Sequence, residues 1–391
     1  MEIASQIRYP EGMIPLVEPR PQGQAAFPLM ASGHRPFFLA AALYGTLAIP
    51  LWLAGYLGYL PLTPVWHGHE MVFGFVVAAV TGFLLAAVPK WTNGPPILGA
   101  SLVFLIVLWI LGRIGMWHPV TAYVDLLFLP VFAGFILWDV VRARNTRNYQ
   151  VPAMLLLLAA FNALYHFYDP SLALRVSIYV IAAMIALIGG RIVPAFTQNA
   201  LRMKVAPEIT CSTPPVLDRL AVPAVLLVVA VELVYPASAA SGAMSIVAAG
   251  ILFARMLGWQ TLRTARLPLV WILHVGYAWV PLGFLLHGLA LMGAPLDASA
   301  ALHALSAGAA GVMILAVASR AALGHSGRPL EPSPWTVVSY YLVIAAAVVR
   351  VFVPVPTGIL ISGLLWFLGY GLFAAVYWPI LTRPRVDGLP G

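Results

Sequence analysis

The stretch Trp66-His67-Gly68-His69-Glu70-Met71 places two imidazoles and a carboxylate at the start of a long apolar run. Ionisable side chains inside a membrane span cost about 2.5 to 3.5 kcal/mol each on insertion scales, and they mark functional positions by default. The alternative is that these side chains lie in interfacial water at the end of a span. The choice depends on whether other segments bring polar groups to the same depth.

The composition of the chain is that of an integral membrane protein. Of its 391 residues, 62% are hydrophobic and 9% are charged, and the mean hydropathy is +0.93. Soluble domains average about 25% charged residues. The single cysteine, Cys211, excludes an intramolecular disulfide and a cysteine-rich cluster. The net charge of +8 is spread over short loops, which indicates membrane topology and no nucleic-acid partner.

Apolar runs long enough to cross a bilayer recur along the whole chain, and we predict an all-α bundle of about twelve transmembrane helices. The predicted spans lie near 37–59, 68–88, 97–117, 120–141, 151–168, 172–194, 217–235, 240–262, 269–292, 300–322, 335–354 and 359–381. Residues 36–382 would form one transmembrane domain between a cytoplasmic segment, 1–35, and a cytoplasmic tail, 383–391. No signal peptide is apparent.

Basic residues predict the orientation. They fall in alternate loops, and positively charged loops lie in the cytoplasm. The residues concerned are Arg8, Arg20, Arg35, Lys90, Arg142, Arg144, Arg147, Arg202, Lys204, Arg219, Arg263, Arg266, Arg320, Arg328, Arg383 and Arg385. Both termini are therefore expected in the cytoplasm, with Arg113 and Arg175 as exceptions near the outer side.

This topology sorts most of the histidines by depth. The predicted outer group is His67, His69, His166, His287 and His303, and the inner group is His34, His274 and His325. A single histidine near a span end is usually interfacial or bonded to a neighbouring helix. Several at one depth, contributed by different helices, favour a shared site.

Helical phase separates the two histidines of the first motif. Residues two apart on a helix point about 200° away from each other. Either His67 lies before the helix and bends back, or His67 and His69 serve two neighbouring centres. Below His303 runs a stripe of small residues, Ser306, Ala307, Ala310 and Gly311. Such a stripe lets another helix approach closely, and it equally leaves room for a flat macrocycle.

The chemistry of the outer histidines suits a metal. Neutral imidazole is a common ligand for iron and copper, and haem in helical bundles is held by histidines on facing helices. A non-haem iron or copper site is the alternative. Arg113 and Arg175 are candidates to bind haem propionates, although snorkelling to the surface would also explain them.

The inner half contains a second set of polar residues that one chemistry does not explain. His274 and Tyr277 lie one turn apart, the run after Gly189-Gly190 contains Arg191, and Arg320 ends a later span. We interpret this region as a place for a second haem, a quinol or a proton-entry path. The Gly pair followed by Arg191 and Pro194 predicts an irregular end to the sixth span.

Several of these segments resemble the NnrS family of haem- and copper-containing bacterial membrane proteins. The matching runs are Arg35-Pro36-Phe37-Phe38-Leu39, Trp66 to Phe75, Gly189 to Thr197, Trp271 to Tyr277, His303-Ala304-Leu305, and Ser319-Arg320 with Leu323 to Leu330. The residues on motif positions are His67, His69, Glu70, His166, Arg191, His274, His303, Arg320 and His325. His34 and His287 do not clearly match the pattern.

The resemblance implies a multi-pass protein of the bacterial inner membrane that contains haem b and copper or non-haem iron. It implies a role in relieving nitrosative stress during denitrification. We expect reduction of two NO molecules to N2O at the outer histidines, with Glu70 and Tyr277 as catalytic residues. The expected partners are lipid, nitric oxide, quinol or a protein as electron donor, and a second copy of the chain in a homodimer.

Two other functions fit the same residues. A haem sensor or scavenger would bind nitric oxide without consuming it catalytically. A proton-coupled transporter would use the histidines and Glu70 without a metal, as intramembrane proton relays do.

Overall fold

The computed structural model describes residues 27–205 and 208–389, which form twelve long helical segments and no strands. The segments are α1 His34–Tyr56, α2 Pro64–Thr92, α3 Gly99–Gly115, α4 Ala122–Arg142, α5 Thr146–Phe167, α6 Pro170–Lys204, α7 Pro215–Val234, α8 Ala239–Met256, α9 Pro268–Leu291, α10 Ala298–His325, α11 Pro334–Phe352 and α12 Thr357–Thr382. Short 3₁₀ turns occur at Pro28–Met30 and Thr261–Thr264. The all-α class is confirmed.

Ten of the helices in the described ranges are long and apolar enough to cross a membrane. Helix α3 has 17 residues and is therefore about 26 Å long, slightly less than the roughly 30 Å hydrocarbon core. Helix α7 contains three charged residues, Asp218, Arg219 and Glu232. The count of twelve spans and the cytoplasmic termini stay predictions. Residues 1–26, with Arg8 and Arg20, lie outside the described residues.

Two helices extend beyond the predicted spans in ways that matter for the site. Helix α2 begins at Pro64, where the Thr63 side chain accepts a hydrogen bond from Trp66 N, so His67 is already helical. Helix α6 continues through Pro194 to Lys204, so the expected irregular end at Gly189 to Pro194 is wrong. Membrane helices tolerate an internal proline because neighbouring groups satisfy the freed backbone atoms.

Three of the helices contain π-helical segments, at Glu70–Val76 in α2, Ile185–Gly189 in α6 and Ala304–Gly311 in α10. A π-helical turn contains an extra residue, which shifts the phase of the side chains that follow. The three segments lie next to one another, because α2, α6 and α10 line the same apolar interior. Such segments are frequent at functional sites.

Helix α1 packs against both the second helix and the last helix of the chain. It packs along α2 and along α12, which in turn pairs with α11. The Trp366 indole on α12 donates to the Gly45 carbonyl on α1 at 2.9 Å, and the Phe75 ring on α2 lies where a side chain at Gly45 would be. This close contact of three helices forms one side of a large internal cavity.

Candidate functional site

A cavity of about 460 Å³ lies at the His67 end of the bundle, between α1, α2, α6, α10, α11 and α12. His67 on α2 and His303 on α10 both line it. Their ring centroids are 6.3 Å apart and their ring planes differ by 10°, while the Trp52 ring stacks on His67 at 5.0 Å. A volume of this size is within the range of small-molecule and cofactor sites.

The hydrogen bonding of these two histidines is compatible with metal binding. His303 Nδ1 donates to the Ser299 carbonyl at 2.7 Å, which assigns the proton to Nδ1 and leaves Nε2 with a free lone pair. His67 Nδ1 is buried without a partner among the described residues. Each ring therefore has a nitrogen that is not bonded to another described residue and that could bind a metal.

The remaining wall of the cavity is mostly apolar, and its charged residues are Arg350 and Asp297. The apolar lining includes Leu53, Val72, Phe75, Leu174, Ile178 and Trp366. Arg350 also lines the cavity, and its Nη2 donates to Ser299 Oγ at 2.9 Å. This lining suits a large apolar ligand with an acidic edge, which is the character of haem and its propionates. We call His67, His303 and Arg350 with this cavity the cavity site.

The small residues on α10 both leave space for a ligand and let another helix approach closely. Ser306, Ala307 and Ala310 line the cavity and leave it open. Gly311 instead contacts the Trp366 ring, which a β-carbon there would approach to 2.6 Å.

A second group of polar residues lies on the other side of α2, around His69. We call it the carboxylate site, and its residues are His69, Glu70, Arg113, Asp125, Asn162 and His166. All of these side chains except that of His166 belong to residues that are at most 6% exposed. His69 Nδ1 donates to Glu70 Oε1 at 2.8 Å, and Arg113 Nη1 donates to the same oxygen at 2.7 Å.

The other nitrogen of His69 faces oxygen atoms. His69 Nε2 is 3.2 Å from Asp125 Oδ2 and 3.2 Å from Asn162 Oδ1. Because Nδ1 donates to Glu70, a neutral ring presents its Nε2 lone pair to two acceptors, which is repulsive. A metal ion or a second proton on the ring is needed to remove this repulsion.

His166 completes a possible ligand set. Its Nε2 atom is buried without a hydrogen-bond partner and lies 3.9 Å from Asp125 Oδ2. One ligand atom each from His69, Asp125 and His166 lie within 4.8 Å of one another, which makes this trio a group that could hold a metal ion. Two imidazoles and a carboxylate suit iron, copper or zinc.

The charges of the carboxylate site also call for a cation. Glu70 and Asp125 are two buried carboxylates, and Arg113, which bonds to both, is the cation paired with them. The Tyr44 hydroxyl donates to the other oxygen of Glu70. A buried uncompensated charge is costly. One metal ion, or one imidazolium, would offset the remaining negative charge.

Comparison with protein families identifies the chain. The sequence model of the family described as NnrS protein matches residues 28–385. The chain belongs to the NnrS family. A comparison with curated proteins gives no match. Family membership favours a membrane protein of the nitric-oxide response that contains haem or metal.

The structure separates the outer residues that this NnrS chain was expected to bring together. His67 and His303 lie at the cavity site, whereas His69 and His166 lie at the carboxylate site. Of the two arrangements open for His67 and His69, the structure has the one in which the pair faces two neighbouring groups.

The two arginines expected to bind propionates have partners within the chain. Arg113 bonds to Glu70 and Asp125, and the Arg175 Nε atom donates to Glu232 Oε1 at 2.9 Å. Neither arginine lines the cavity. Snorkelling does not describe them either, because both are bound to buried carboxylates. Arg350 is the arginine placed to meet an acidic ligand.

The inner candidates form a separate group around Arg255. Its Nη1 atom donates to the Ala186 carbonyl at 2.6 Å and to the Tyr277 hydroxyl at 3.1 Å, and Nη2 donates to Asp218. A β-carbon at Gly190 would lie 2.1 Å from this guanidinium. Gly190 therefore makes room for Arg255. The hydrogen bond of Tyr277 is to Arg255 and not to a residue of either outer site.

The remaining inner candidates have local partners. His274 pairs through Nε2 with Thr197 Oγ1 at 2.7 Å and through Nδ1 with Thr261 Oγ1 at 3.0 Å, so both ring nitrogens are satisfied. Arg191 Nη1 donates to Asn148 Oδ1 at 2.8 Å, and Arg320 lies over the Phe196 ring at 4.2 Å. Their roles as haem, quinol or proton-path residues stay predictions.

Three further histidines lie away from the outer sites or face other partners. His287 bonds to the Tyr179 hydroxyl at 2.6 Å, deep in the bundle. His34 and His325 meet at the opposite end of α10, with ring centroids 4.9 Å apart. His34 is 1% exposed: it begins α1, and its ring lies beside that of His325 at the end of α10.

Sequence reasoning missed Asp125 and Arg350, which the structure places at the two sites. Asp125 is a carboxylate within an apolar run, so the rule that singled out Glu70 would have found it. Arg350 ends an apolar run on the side where few basic residues are expected, which was a signal of the same kind.

Proposed function

We propose that this NnrS protein reduces nitric oxide to nitrous oxide, using haem at the cavity site and copper or non-haem iron at the carboxylate site. The reaction joins two NO molecules and consumes two electrons and two protons, giving N2O and water. The electrons would come from a membrane quinol or a partner protein. The observation that carries the proposal is the pairing of two complementary sites on one turn of α2, at His67 and His69.

The cavity site would bind haem and exclude bulk water from it. His303, whose ring is fixed by the Ser299 carbonyl, would hold the haem iron, and Arg350 would hold a propionate. His67 is the other candidate ligand, and a single histidine ligand would leave the iron free to bind nitric oxide. The apolar walls admit a small neutral molecule and keep bulk water away, which strengthens electrostatic interactions inside. When bound, the haem would supply the place where nitric oxide binds inside the cavity, and the second metal would supply electrons.

The carboxylate site would orient the His69 ring and supply negative charge to the second metal. Glu70 accepts from His69 Nδ1, which fixes the ring and directs Nε2 toward Asp125. Such a carboxylate–histidine pair is typical of metal sites, where it fixes the ring and raises the basicity of the ligand. In the described part of the chain, the three side chains that hydrogen-bond to Glu70, those of Tyr44, His69 and Arg113, all donate, which supports an orienting role. The role in proton delivery that the sequence suggests for Glu70 stays a prediction.

Optical spectra, metal analysis and an NO electrode test this proposal on the purified full-length protein. We expect a Soret band that shifts when NO is added to the reduced protein, and consumption of NO with a reductant present. His303→Ala should remove haem, and His69→Ala should remove the second metal and the turnover while keeping haem. His118→Ala, an exposed histidine at the same end, is the matched control.

The same measurements separate the alternatives. Binding of NO without sustained consumption would replace the enzyme with a sensor or scavenger. A colourless, metal-free protein from haem-replete cells would point to a proton-coupled transporter. In that case His69 would hold the second proton itself, because its Nε2 atom faces Asp125 and Asn162.

A further inference from the structure

A cluster of basic residues gathers where three helices and the tail meet at the His325 end of the bundle. His34 begins α1, Lys90 lies near the end of α2 and His325 ends α10. The His34 and His325 ring centroids are 4.9 Å apart, and Lys90 Nζ is 3.4 Å from His325 Nε2. Arg385 Nη1 donates to the His325 carbonyl at 3.0 Å, which brings the tail into the cluster.

Arg35 is the buried centre of this cluster. The residue is 1% exposed, and its Nη1 atom donates to the carbonyls of Leu381 at 3.2 Å and Arg383 at 2.7 Å. Its Nε and Nη2 atoms are buried and have no hydrogen-bond partner among the described residues. The Nη1 atom of Arg328 is in the same condition. Buried donors of a charged group are normally satisfied, so these three nitrogens call for an acceptor.

The charges are equally unbalanced. Arg35 lies within electrostatic reach of Arg328 and Arg385, and His34 within reach of Lys90. In the described part of the chain, the carboxylate bound to this cluster is that of Asp387. Its two oxygens bond to Arg385 Nε at 2.9 Å and to Arg385 Nη2 at 2.5 Å. Among residues 27–205 and 208–389, no carboxylate pairs with the guanidinium of Arg35.

Ordinary topology does not explain this arrangement. Positive residues that orient a membrane protein lie in exposed loops, as Arg263 does here. Arg35 is instead enclosed, next to the start of α1, which has no side-chain cap and whose dipole also favours an anion.

We propose that Arg35, Lys90, Arg328 and the two histidines His34 and His325 bind a phosphate group at this end of the bundle. A tetrahedral phosphate offers several acceptor oxygens, which suits donors that converge from different helices. Guanidinium groups bind it through paired hydrogen bonds, and lysine contributes a point charge. The phosphate can belong to a phospholipid headgroup or to free phosphate.

Native mass spectrometry and thermal unfolding of the full-length protein in detergent test the site. The probes are phosphatidylglycerol, the matching diacylglycerol without phosphate, and inorganic phosphate against chloride at equal ionic strength. We expect phosphatidylglycerol or phosphate, but not diacylglycerol, to bind and to raise Tm. Arg328→Gln with Lys90→Gln should weaken binding by at least about tenfold, because charge-assisted hydrogen bonds are lost.

The controls keep the result interpretable. Arg263→Gln removes an exposed positive charge outside the cluster and should leave binding unchanged. Arg35→Lys keeps the charge but loses the paired donors, and should weaken binding while preserving the fold. A response to the lipid alone identifies a headgroup site, and a response to inorganic phosphate identifies a free anion. Equal binding by the wild type and the double variant, or no binding of either probe, would overturn the proposal.

Discussion

The side chain of Asp125 lies among the three positive or potentially positive groups of the carboxylate site, which are Arg113, His69 and His166. It bonds to Arg113, accepts from Asn162 Nδ2 at 2.7 Å and faces His69 Nε2. If it is also a metal ligand, Asp125→Asn should lower the copper or iron content from about one per chain to well below one. Haem should remain, because the cavity site is on the other side of α2.

Elemental analysis with an optical spectrum on the same sample checks this prediction. The matched control is Asp139→Asn, which removes another acid from the same helix α4 about four turns away. Loss of haem and metal together would indicate a folding defect, since Arg113 loses one of its two partners. An Asp125→Asn protein with full metal content would show that Asp125 is not a ligand.

The tail offers a residue whose titration can be followed. The Arg385 guanidinium lowers the pKa of Asp387 to about 2. A carboxyl group whose pKa is lower in the folded state stabilises that state above its unfolded pKa, about 3.9. Contacts of the tail should therefore persist at neutral pH and weaken as the pH falls from about 4 to 2. Hydrogen exchange at Leu389, whose amide donates to Asp387 Oδ1 at 3.2 Å, reports this change. Asp387→Asn should remove the dependence in that window.

The sequence identifies some residues of the two sites but not their partners. His67, His69 and His303 stand out because imidazoles are rare in apolar runs, and their common depth follows from topology. The partners do not follow in the same way. The distance between Asp125 and His69 depends on how α4 packs against α2, and no spacing in the sequence contains that information. The pairing of Arg113 with two carboxylates was hidden for the same reason.

At the scale of one helix, α10 shows how small residues create space. Ala307 and Ala310 line the cavity, while the Trp279 ring packs against Gly308 and the Trp366 ring packs against Gly311. Ala307→Phe should fill part of the cavity and reduce haem occupancy severalfold, because the added ring takes volume that the macrocycle needs. The Soret absorbance per chain measures the effect.

A change elsewhere on the same helix provides the control. Ala298→Phe adds the same ring at an exposed position in the first turn of α10 and should leave haem unchanged. Full haem occupancy in Ala307→Phe, with an unchanged Tm, would show that haem does not lie in this cavity.

Helices were predictable as elements, but their irregular turns were not. Apolar runs and loop residues located all twelve helical segments to within several residues, apart from the longer C-terminal part of α6. The π segments in α2, α6 and α10 have no composition that marks them. They shift the phase of the side chains that follow them in each helix. A fixed period of 3.6 residues could not reveal this.

At the scale of the whole molecule, the open issue is how many of the helices cross the membrane. Helix α7 has its acids near its ends, and both are paired across helices: Asp218 with Arg255 and Glu232 with Arg175. Paired charges cost less to bury than single ones, and the middle of α7 is apolar. Helix α3 is short but can cross with little mismatch. We therefore expect both to cross, giving twelve spans and alternating loops.

Single-cysteine labelling tests this topology, because Cys211 is the chain's own cysteine and Cys211→Ser gives a cysteine-free background. A membrane-impermeant maleimide on spheroplasts should label His118→Cys and Pro236→Cys, and should leave Pro95→Cys and native Cys211 unlabelled. A permeant maleimide should label all four, which controls for reactivity. If positions 95 and 118 behave alike, α3 does not cross; if 211 and 236 behave alike, α7 does not cross. Either result would contradict the fold. Without a crossing by α3, His69 and Asp125 would lie on opposite sides of the membrane although they are 3.2 Å apart, and without a crossing by α7 the same would hold for His67 and His303, which line one cavity.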